Sequence, residues 1–361
     1  MKRVLLGMSG GIDSTVSALL LMEQGYEVVG VTFRTYDSIN ESCLSREKGC
    51  CSVESIMEAK HNAHEMGFEH MIVDFRDSFR RNVIQNFIDE YMSGRTPNPC
   101  VLCNSYIKWG EMLHLADELH CDYIATGHYA RIARHRGHYY LQKAVDEKKD
   151  QTYFLWRLKE VDLRRTLFPL GGLTKPEVRE IARQHGYVKL AEKAESQEIC
   201  FVPDNDYRHF LRENVADYDE RVQPGDFIDT DGKIVGRHAG YSNYTIGQRK
   251  GLGIALGKPV YVTGINTTLN TVTLGDYTDL YTTQLTANDC FVRDTVWLKE
   301  DPIVEARIRY RSSPVKAQIS TLSSPLSSLS LHFDAPVWGA TPGQSLVLYK
   351  DGLVIGGGVI A

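Results

Sequence analysis

Two groups of residues in this chain carry chemistry in their types and spacing. The first is Ser9-Gly10-Gly11-Ile12-Asp13-Ser14, set between the apolar run 4–6 and the mostly apolar run 15–21. Two glycines let the backbone bend and leave its N–H groups bare. Ser9, Ser14 and Thr15 add hydroxyl donors at the positive end of the helix that follows, where a phosphate or pyrophosphate binds. It is not a Walker A loop, because no Gly-Lys-Ser/Thr follows. The second group is a set of thiols. Asn98-Pro99-Cys100-Val101-Leu102-Cys103-Asn104 holds a Cys-x-x-Cys pair, and Cys200 lies far along the chain. Pro97 and Pro99 hold the approach extended. Cys103 then falls near the start of an amphipathic helix containing Trp109, Met112 and Leu113, a place that favours the thiolate. A lone Cys-x-x-Cys serves metal binding or redox work, and spacing does not choose between them.

A third stretch carries charge. Between residues 302 and 311, Val304, Ala306, Ile308 and Tyr310 alternate with Glu305, Arg307, Arg309 and Arg311. In a strand this alternation sets the guanidinium groups on one face, roughly 6.5–7 Å apart, as a rail for a phosphate backbone. Arg249 and Lys250, in the glycine-rich 247–251 loop, offer a second phosphate grip. Cys43, Cys50 and Cys51 form a further cluster; with no second Cys-x-x-Cys or nearby His pair to complete a zinc pattern, a structural role is the better reading.

The elements that position these groups follow from periodicity. Residues 4–6, 28–33, 71–75 and 123–126 read as strands, and 53–66 and 82–92 as amphipathic helices. This β-α-β-α rhythm predicts a doubly wound, mostly parallel sheet, with ligands at the carboxyl ends of its strands. The Ser9–Ser14 loop and Thr126-Gly127-His128-Tyr129 both fall there. Thr174-Lys175-Pro176-Glu177 is a capping box with proline in the first turn, and Gly186 suits the stop. After about residue 205 long helical periodicity disappears. Short runs at 259–264, 271–274, 303–310, 315–322, 345–349 and 353–360 predict a small antiparallel barrel. The expected division is 1–204, 205–265 and 266–361, and the serine-rich 323–330 reads as a loop.

With 361 residues, 42% hydrophobic and 24% charged, the chain is a globular protein of two or three domains. Nowhere is there a run long enough to span a membrane. Eight cysteines without a secretion signal predict a reducing, cytoplasmic setting and not a disulfide scaffold. At a net charge of −5, nucleic-acid binding must rest on local basic patches.

The string SGGIDS resembles the PP-loop of the ATP pyrophosphatase superfamily, whose members split ATP to AMP and pyrophosphate. Taken in order, SGGIDS, NPxxxCN, TGHYAR, KDQxYFL and SQEICF, with Tyr244 to Gly251, Arg309-Tyr310-Arg311 and Pro342-Gly343-Gln344, resemble the bacterial tRNA 2-thiouridylases of the MnmA/TrmU type over nearly the whole chain. That resemblance implies an α/β catalytic domain, a small central domain and a C-terminal β-barrel. It also implies a reaction: ATP, with Mg2+, adenylates the C2 oxygen of the wobble uridine, and persulfide sulfur replaces that oxygen. Cys200 would carry the persulfide. Cys103 would be the nucleophile that frees the sulfur, leaving a Cys103–Cys200 disulfide. ATP contacts are implied at Gly7, Met8, Ser9, Gly10, Gly11, Ile12, Asp13, Ser14, Phe33 and Gly127. The residues implied to touch tRNA are Asn98, Pro99, Cys100, His128, Lys149, Asp150, Gln151, Arg309, Tyr310, Arg311 and Gln344. The expected partners are tRNAs accepting Lys, Glu and Gln, and a cysteine desulfurase or sulfur-relay protein as donor.

One departure matters. Many relatives carry Asp where Cys100 stands. Its absence puts a carboxylate-assisted step in doubt and gathers Cys100, Cys103 and Cys200 as candidate ligands of a labile iron–sulfur cluster; a substitution without new chemistry is the other reading. Two further functions compete with thiolation: an ATP-dependent ligase on the same loop, which has no need of Cys103 and Cys200, and an RNA-binding module with an idle loop.

Overall fold

The computed structural model describes residues 1–36, 53–193, 199–202, 205–323 and 327–361. The Cys43, Cys50 and Cys51 cluster lies outside them, as do Ser196, Gln197 and Glu198 of the SQEICF motif and residues 324–326 of the serine-rich stretch. The chain forms two compact units. The first is Met1–Val83, Pro99–Asn205 and Asp351–Ile355; the second is Ile84–Asn98, Asp206–Lys350 and Gly356–Ala361.

The first unit is built on strands β1 (Arg3–Gly7), β2 (Glu27–Arg34), β3 (His70–Asp74), β4 (Tyr123–Thr126) and β7 (Thr166–Leu167). They pair in parallel in the order β3-β2-β1-β4-β7. Chain order reverses at β1, so ligands are expected at the carboxyl ends of β1 and β4. Val4, Leu5 and Leu6 of β1 are fully buried, as a central parallel strand covered on both faces requires. Helix Ile12–Glu23 lays Val16, Ala18 and Leu21 inward. Val16 and Leu21 each contribute roughly 1.5–3 kcal/mol by leaving water. Helix Lys175–Gln184 begins at the expected capping box, with Thr174 and Glu177 capping each other's backbone N–H. A hairpin missed by periodicity, β5 (Arg131–His135) and β6 (His138–Gln142), pairs with Leu353 and Val354.

The second unit holds a four-stranded sheet and a barrel. Strands β8 (Gly225–Ile228), β9 (Ile234–His238), β10 (Tyr261–Asn266) and β11 (Thr271–Gly275) run in the order β10-β11-β8-β9 around Phe227, Val262 and Val272. The barrel strands are β12 (Tyr281–Val292), β13 (Ile303–Arg307), β14 (Val315–Leu322), β15 (Ser328–Trp338), β16 (Ser345–Lys350) and β17 (Leu353–Ile360). Their order β12-β15-β14-β13-β16-β17 closes when β17 pairs with β12. The expected fold class, a parallel α/β sheet followed by an antiparallel barrel, is borne out.

Candidate active site

The loop after β1 is anchored on both sides. Met8 N donates to Val31 O at 2.8 Å, and Thr32 Oγ1 donates to Met8 O at 3.0 Å. Ser14 Oγ and Thr15 Oγ1 donate to Gly11 O at 3.0 and 3.1 Å. Gly11 is the N-cap of helix Ile12–Glu23 and has no side chain to satisfy the first-turn N–H groups, which suits an anion there. Gly10 takes a φ of +69°, and a Cβ on it would collide with the Ser55 carbonyl oxygen. From β4, Gly127 comes so close that a Cβ would lie 2.9 Å from the Asp13 carbonyl carbon. Only glycine allows the β4 loop to touch the β1 loop here.

Asp13 is not an idle carboxylate. Its Oδ1 accepts from Lys175 Nζ at 2.7 Å and from Tyr129 OH at 2.9 Å. Lys175 is buried and its ammonium lies 5.7 Å from the Tyr129 ring centre. Sequence reading gave Lys175 only a place in a capping box; a lysine inside a helix start gives no sign that it reaches back 162 residues to the loop.

The thiol helix differs from expectation. It starts at Pro99, in the favoured first-turn position, and turns α-helically over Pro99–Leu102. It then winds more widely, with i→i+5 bonds, over Cys103–Glu111 before resuming as Met112–Glu118. Cys100, not Cys103, therefore sits in the first turn. Cys100 is reached by solvent, yet protein crowded round its sulfur pushes the thiol up, an effect partly offset by the Lys108 ammonium. Exposure decides that a reagent can arrive; crowding decides that the thiol stays protonated.

Lys108 also faces His128. Its Nζ lies 3.4 Å from His128 Nε2, and His128 Nδ1 lies 2.8 Å from Thr126 Oγ1. An ammonium can only donate, so Nε2 is the acceptor and Nδ1 carries the proton. Burial first, and Lys108 second, hold His128 well below the usual histidine range. It is a neutral imidazole.

The motifs tie together through backbone. Asn104 Nδ2 donates to Phe154 O at 3.0 Å. Gln151 Oε1 accepts from Tyr129 N, and Gln151 N donates to Tyr129 O, both at 2.9 Å. Asp150 is buried and accepts from Ala144 N and Thr152 Oγ1. Of the expected tRNA contacts at 149–151, Asp150 and Gln151 are thus turned into the fold. Phe201, next to Cys200, packs on Phe79 with ring centres 5.6 Å apart, and Ser78 Oγ donates to Glu111 at 2.5 Å on the thiol helix. Phe33 packs on Phe75, centres 5.3 Å apart, at the carboxyl end of β2.

Cys103 and Cys200 are both free thiols. One expectation fails on geometry. Among the described residues no group of three or more His, Cys, Asp or Glu side chains is placed to hold a metal, so Cys100, Cys103 and Cys200 do not form an iron–sulfur ligand set.

In the second unit, strand β13 ends at Arg307, and Arg309, Tyr310 and Arg311 turn away behind it. Arg309 Nη2 donates to Gly339 O at 2.6 Å and Thr341 Oγ1 at 3.0 Å. Those acceptors draw the guanidinium inward, so the expected rail of three arginines is broken. Gln344 was expected at a base edge. Its Nε2 donates instead to Thr96 O at 3.1 Å and Pro97 O at 2.7 Å. Asn98 Nδ2 lies 3.4 Å from Ser345 Oγ.

The tRNA methyl transferase HUP domain model matches residues 2–204, the corresponding PRC-barrel domain model residues 208–276, and the aminomethyltransferase beta-barrel domain model residues 287–360. The tRNA-specific 2-thiouridylase MnmA of Amoebophilus asiaticus is 47% identical over 363 residues, covering 99% of this chain and 95% of that protein. One from Salinibacter ruber is 47% identical, covering 99% and 94%. MnmA 1 of Clostridium botulinum is 46% identical, covering 99% of each.

Proposed function

This chain belongs to the family of the MnmA tRNA-specific 2-thiouridylases, and we propose that it replaces the C2 oxygen of a tRNA wobble uridine with sulfur at the expense of ATP. The observation that carries the reading is the joining, in one unit, of an uncapped helix start behind a Gly-Gly loop with a thiol helix tied to the β4 loop by Lys108 and His128. The first is built for phosphate and the second for sulfur.

Residues 9–14 and Gly127 hold the nucleotide. When bound, ATP supplies the adenylyl group that makes the C2 oxygen a good leaving group. Mg2+ would accompany the phosphates; Asp13, whose Oδ1 already accepts from Lys175 and Tyr129, would orient the loop more than hold the ion. Cys200 carries the persulfide, whose terminal sulfur attacks C2 and displaces AMP. The Cys103 thiolate then attacks the inner sulfur of Cys200, breaking the S–S bond, leaving sulfur on the base and a Cys103–Cys200 disulfide. An external thiol reductant resets the pair. Lys108 places positive charge beside Cys100 and His128, where anionic sulfur or a developing oxyanion would be stabilised. In this reading residues 1–204 catalyse, and 205–265 and 266–361 help hold the RNA. The substrates are tRNAs accepting Lys, Glu and Gln, and the persulfide comes from a cysteine desulfurase or a relay protein. For localisation the structure offers one fact: no helix among the described residues is long and apolar enough to cross a membrane.

The test is incubation with unmodified tRNA, ATP and a persulfide source. The expected products are 2-thiouridine and AMP. AMP without thiolation would point to a ligase, and neither product to a binding module. Cys200→Ser should abolish transfer, and full activity in that variant at limiting persulfide would remove Cys200 from the mechanism.

A further inference from the structure

Four aromatic rings gather at the surface of the second unit where β12 begins beside the end of β15. Tyr281 pairs directly with Trp338 in the β12–β15 register. Tyr277 stacks on Trp338 with ring centres 5.1 Å apart and planes inclined 25°. Tyr281 meets Tyr277 edge-on at 5.7 Å, and Tyr261 meets Tyr277 at 5.5 Å. Trp338 is pinned: its Nε1 donates to Tyr277 O at 3.2 Å, and the Arg309 guanidinium lies 5.2 Å from its ring. Yet Tyr277 and Tyr281 remain 46% and 45% exposed. Rings this large and this well braced, left open to water, are not explained by the barrel core.

The charge around them fits one class of partner. A Cβ on Gly247 would lie 3.1 Å from the Trp338 ring and 3.3 Å from Arg309 Nη2, so the loop carrying exposed Arg249 and Lys250 abuts the cluster. The acids beside Tyr277 are engaged. Asp276 pairs with Lys258 Nζ at 2.7 Å, and Asp279 accepts from Asp276 N at 2.8 Å. Open π faces next to exposed cations are the arrangement that binds unpaired nucleotides, the ring taking the base and the cations the phosphates.

We propose that Tyr277 and Tyr281, braced by Trp338, form a stacking platform for one unpaired base of the bound tRNA. This rests on the tRNA reading above and adds a base contact to it. Because every base has a π face, the platform grips without reading sequence.

Trp109, Trp156 and Trp297 are buried and Trp338 is half-buried, so a change of tryptophan emission on adding RNA reports the platform. The full-length protein is titrated with an unmodified tRNA transcript, following emission, and affinity is measured separately by filter binding over a range of salt. tRNA should quench the emission, and Trp338→Phe should remove the quench. Tyr277→Ala with Tyr281→Ala should weaken binding about tenfold. The slope of affinity against salt should not change, because no phosphate contact is lost. Tyr277→Phe with Tyr281→Phe keeps the rings and should bind as wild type, which separates stacking from misfolding. Wild-type binding with unchanged emission, and an alanine pair within about twofold of wild type, would overturn the platform and leave the functional reading standing. A wild-type protein that neither binds nor thiolates tRNA would overturn both.

Discussion

Lys175 Nζ lies 2.7 Å from Asp13 Oδ1, joining the first turn of one helix to the nucleotide loop that starts another. The pair is unequal. The lysine side chain is 8% exposed and the aspartate 35%, so only the aspartate can turn to water when its partner is removed.

That inequality predicts which half of the pair matters more for stability. Asp13→Asn takes the negative charge away from beside the confined Lys175 ammonium and should cost on the order of 3–5 kcal/mol. Lys175→Met leaves a carboxylate that water reaches and should cost about 1–3 kcal/mol. Urea unfolding of the two variants measures this. Equal costs, or a larger loss in Lys175→Met, would show that the ammonium is not the confined partner. Both variants should lose AMP formation, since each loosens the loop.

His128 gives the fold a pH dependence with a definite sign. Its folded pKa is held well below 6.5, chiefly by burial, so the unfolded chain binds the extra proton first. Above pH 6.5 the group contributes no penalty. As pH falls below 6.5 the native state loses stability, by up to about 1.4 kcal/mol per pH unit. His128→Gln should flatten the difference in stability between pH 7 and pH 5 relative to wild type. An unchanged difference would mean that His128 is protonated in the folded protein.

The sheet was legible in sequence because its strands are continuous apolar runs: β1, β2, β3 and β4 lie within a few residues of where those runs fall. The barrel was legible except for its two longest strands. Strand β12 contains Asn288-Asp289, which reads as a turn; the structure makes it a bulge, with Asp289 at φ +50° and the chain continuing as strand. Strand β15 begins inside the serine-rich 323–330 stretch, at Ser328, so residues 328–330 are strand and not loop, and it contains Pro336, which also reads as loop. The nucleotide loop was legible as a motif because the chemistry sits in adjacent residues. Lys108 and Lys175 were not, because each acts on a group distant in sequence through a side chain whose direction only the fold sets. The carbonyls that Gln344 serves were not legible for the same reason: a glutamine in a turn shows its chemistry but not which groups it faces.

Gln344 should therefore behave as a brace of the second unit. Its Nε2 serves two backbone carbonyls, Thr96 O and Pro97 O. Gln344→Glu sets a carboxylate oxygen against them and should destabilise by about 1–3 kcal/mol. Melting followed beside steady-state thiolation separates the roles. A brace lowers stability and kcat while KM for tRNA stays near wild type. A raised KM with unchanged stability would restore the base-edge contact.

Cys100 tests the electrostatics of the thiol helix. Crowding raises its pKa and Lys108 lowers it. At neutral pH Cys100 should be alkylated slowly by iodoacetamide despite its exposure, with the rate climbing as pH rises, because only the thiolate reacts. Lys108→Met removes the offsetting charge, so labelling should slow further at any given pH and its midpoint should move to higher pH. Peptide mass spectrometry after timed alkylation reads Cys100 separately from Cys103 and Cys200. Faster labelling in Lys108→Met would mean that the ammonium shields the sulfur sterically and does not stabilise its anion. In that case the positive charge beside His128 would have no part in holding anionic sulfur, and the role given to Lys108 in the transfer step would fall.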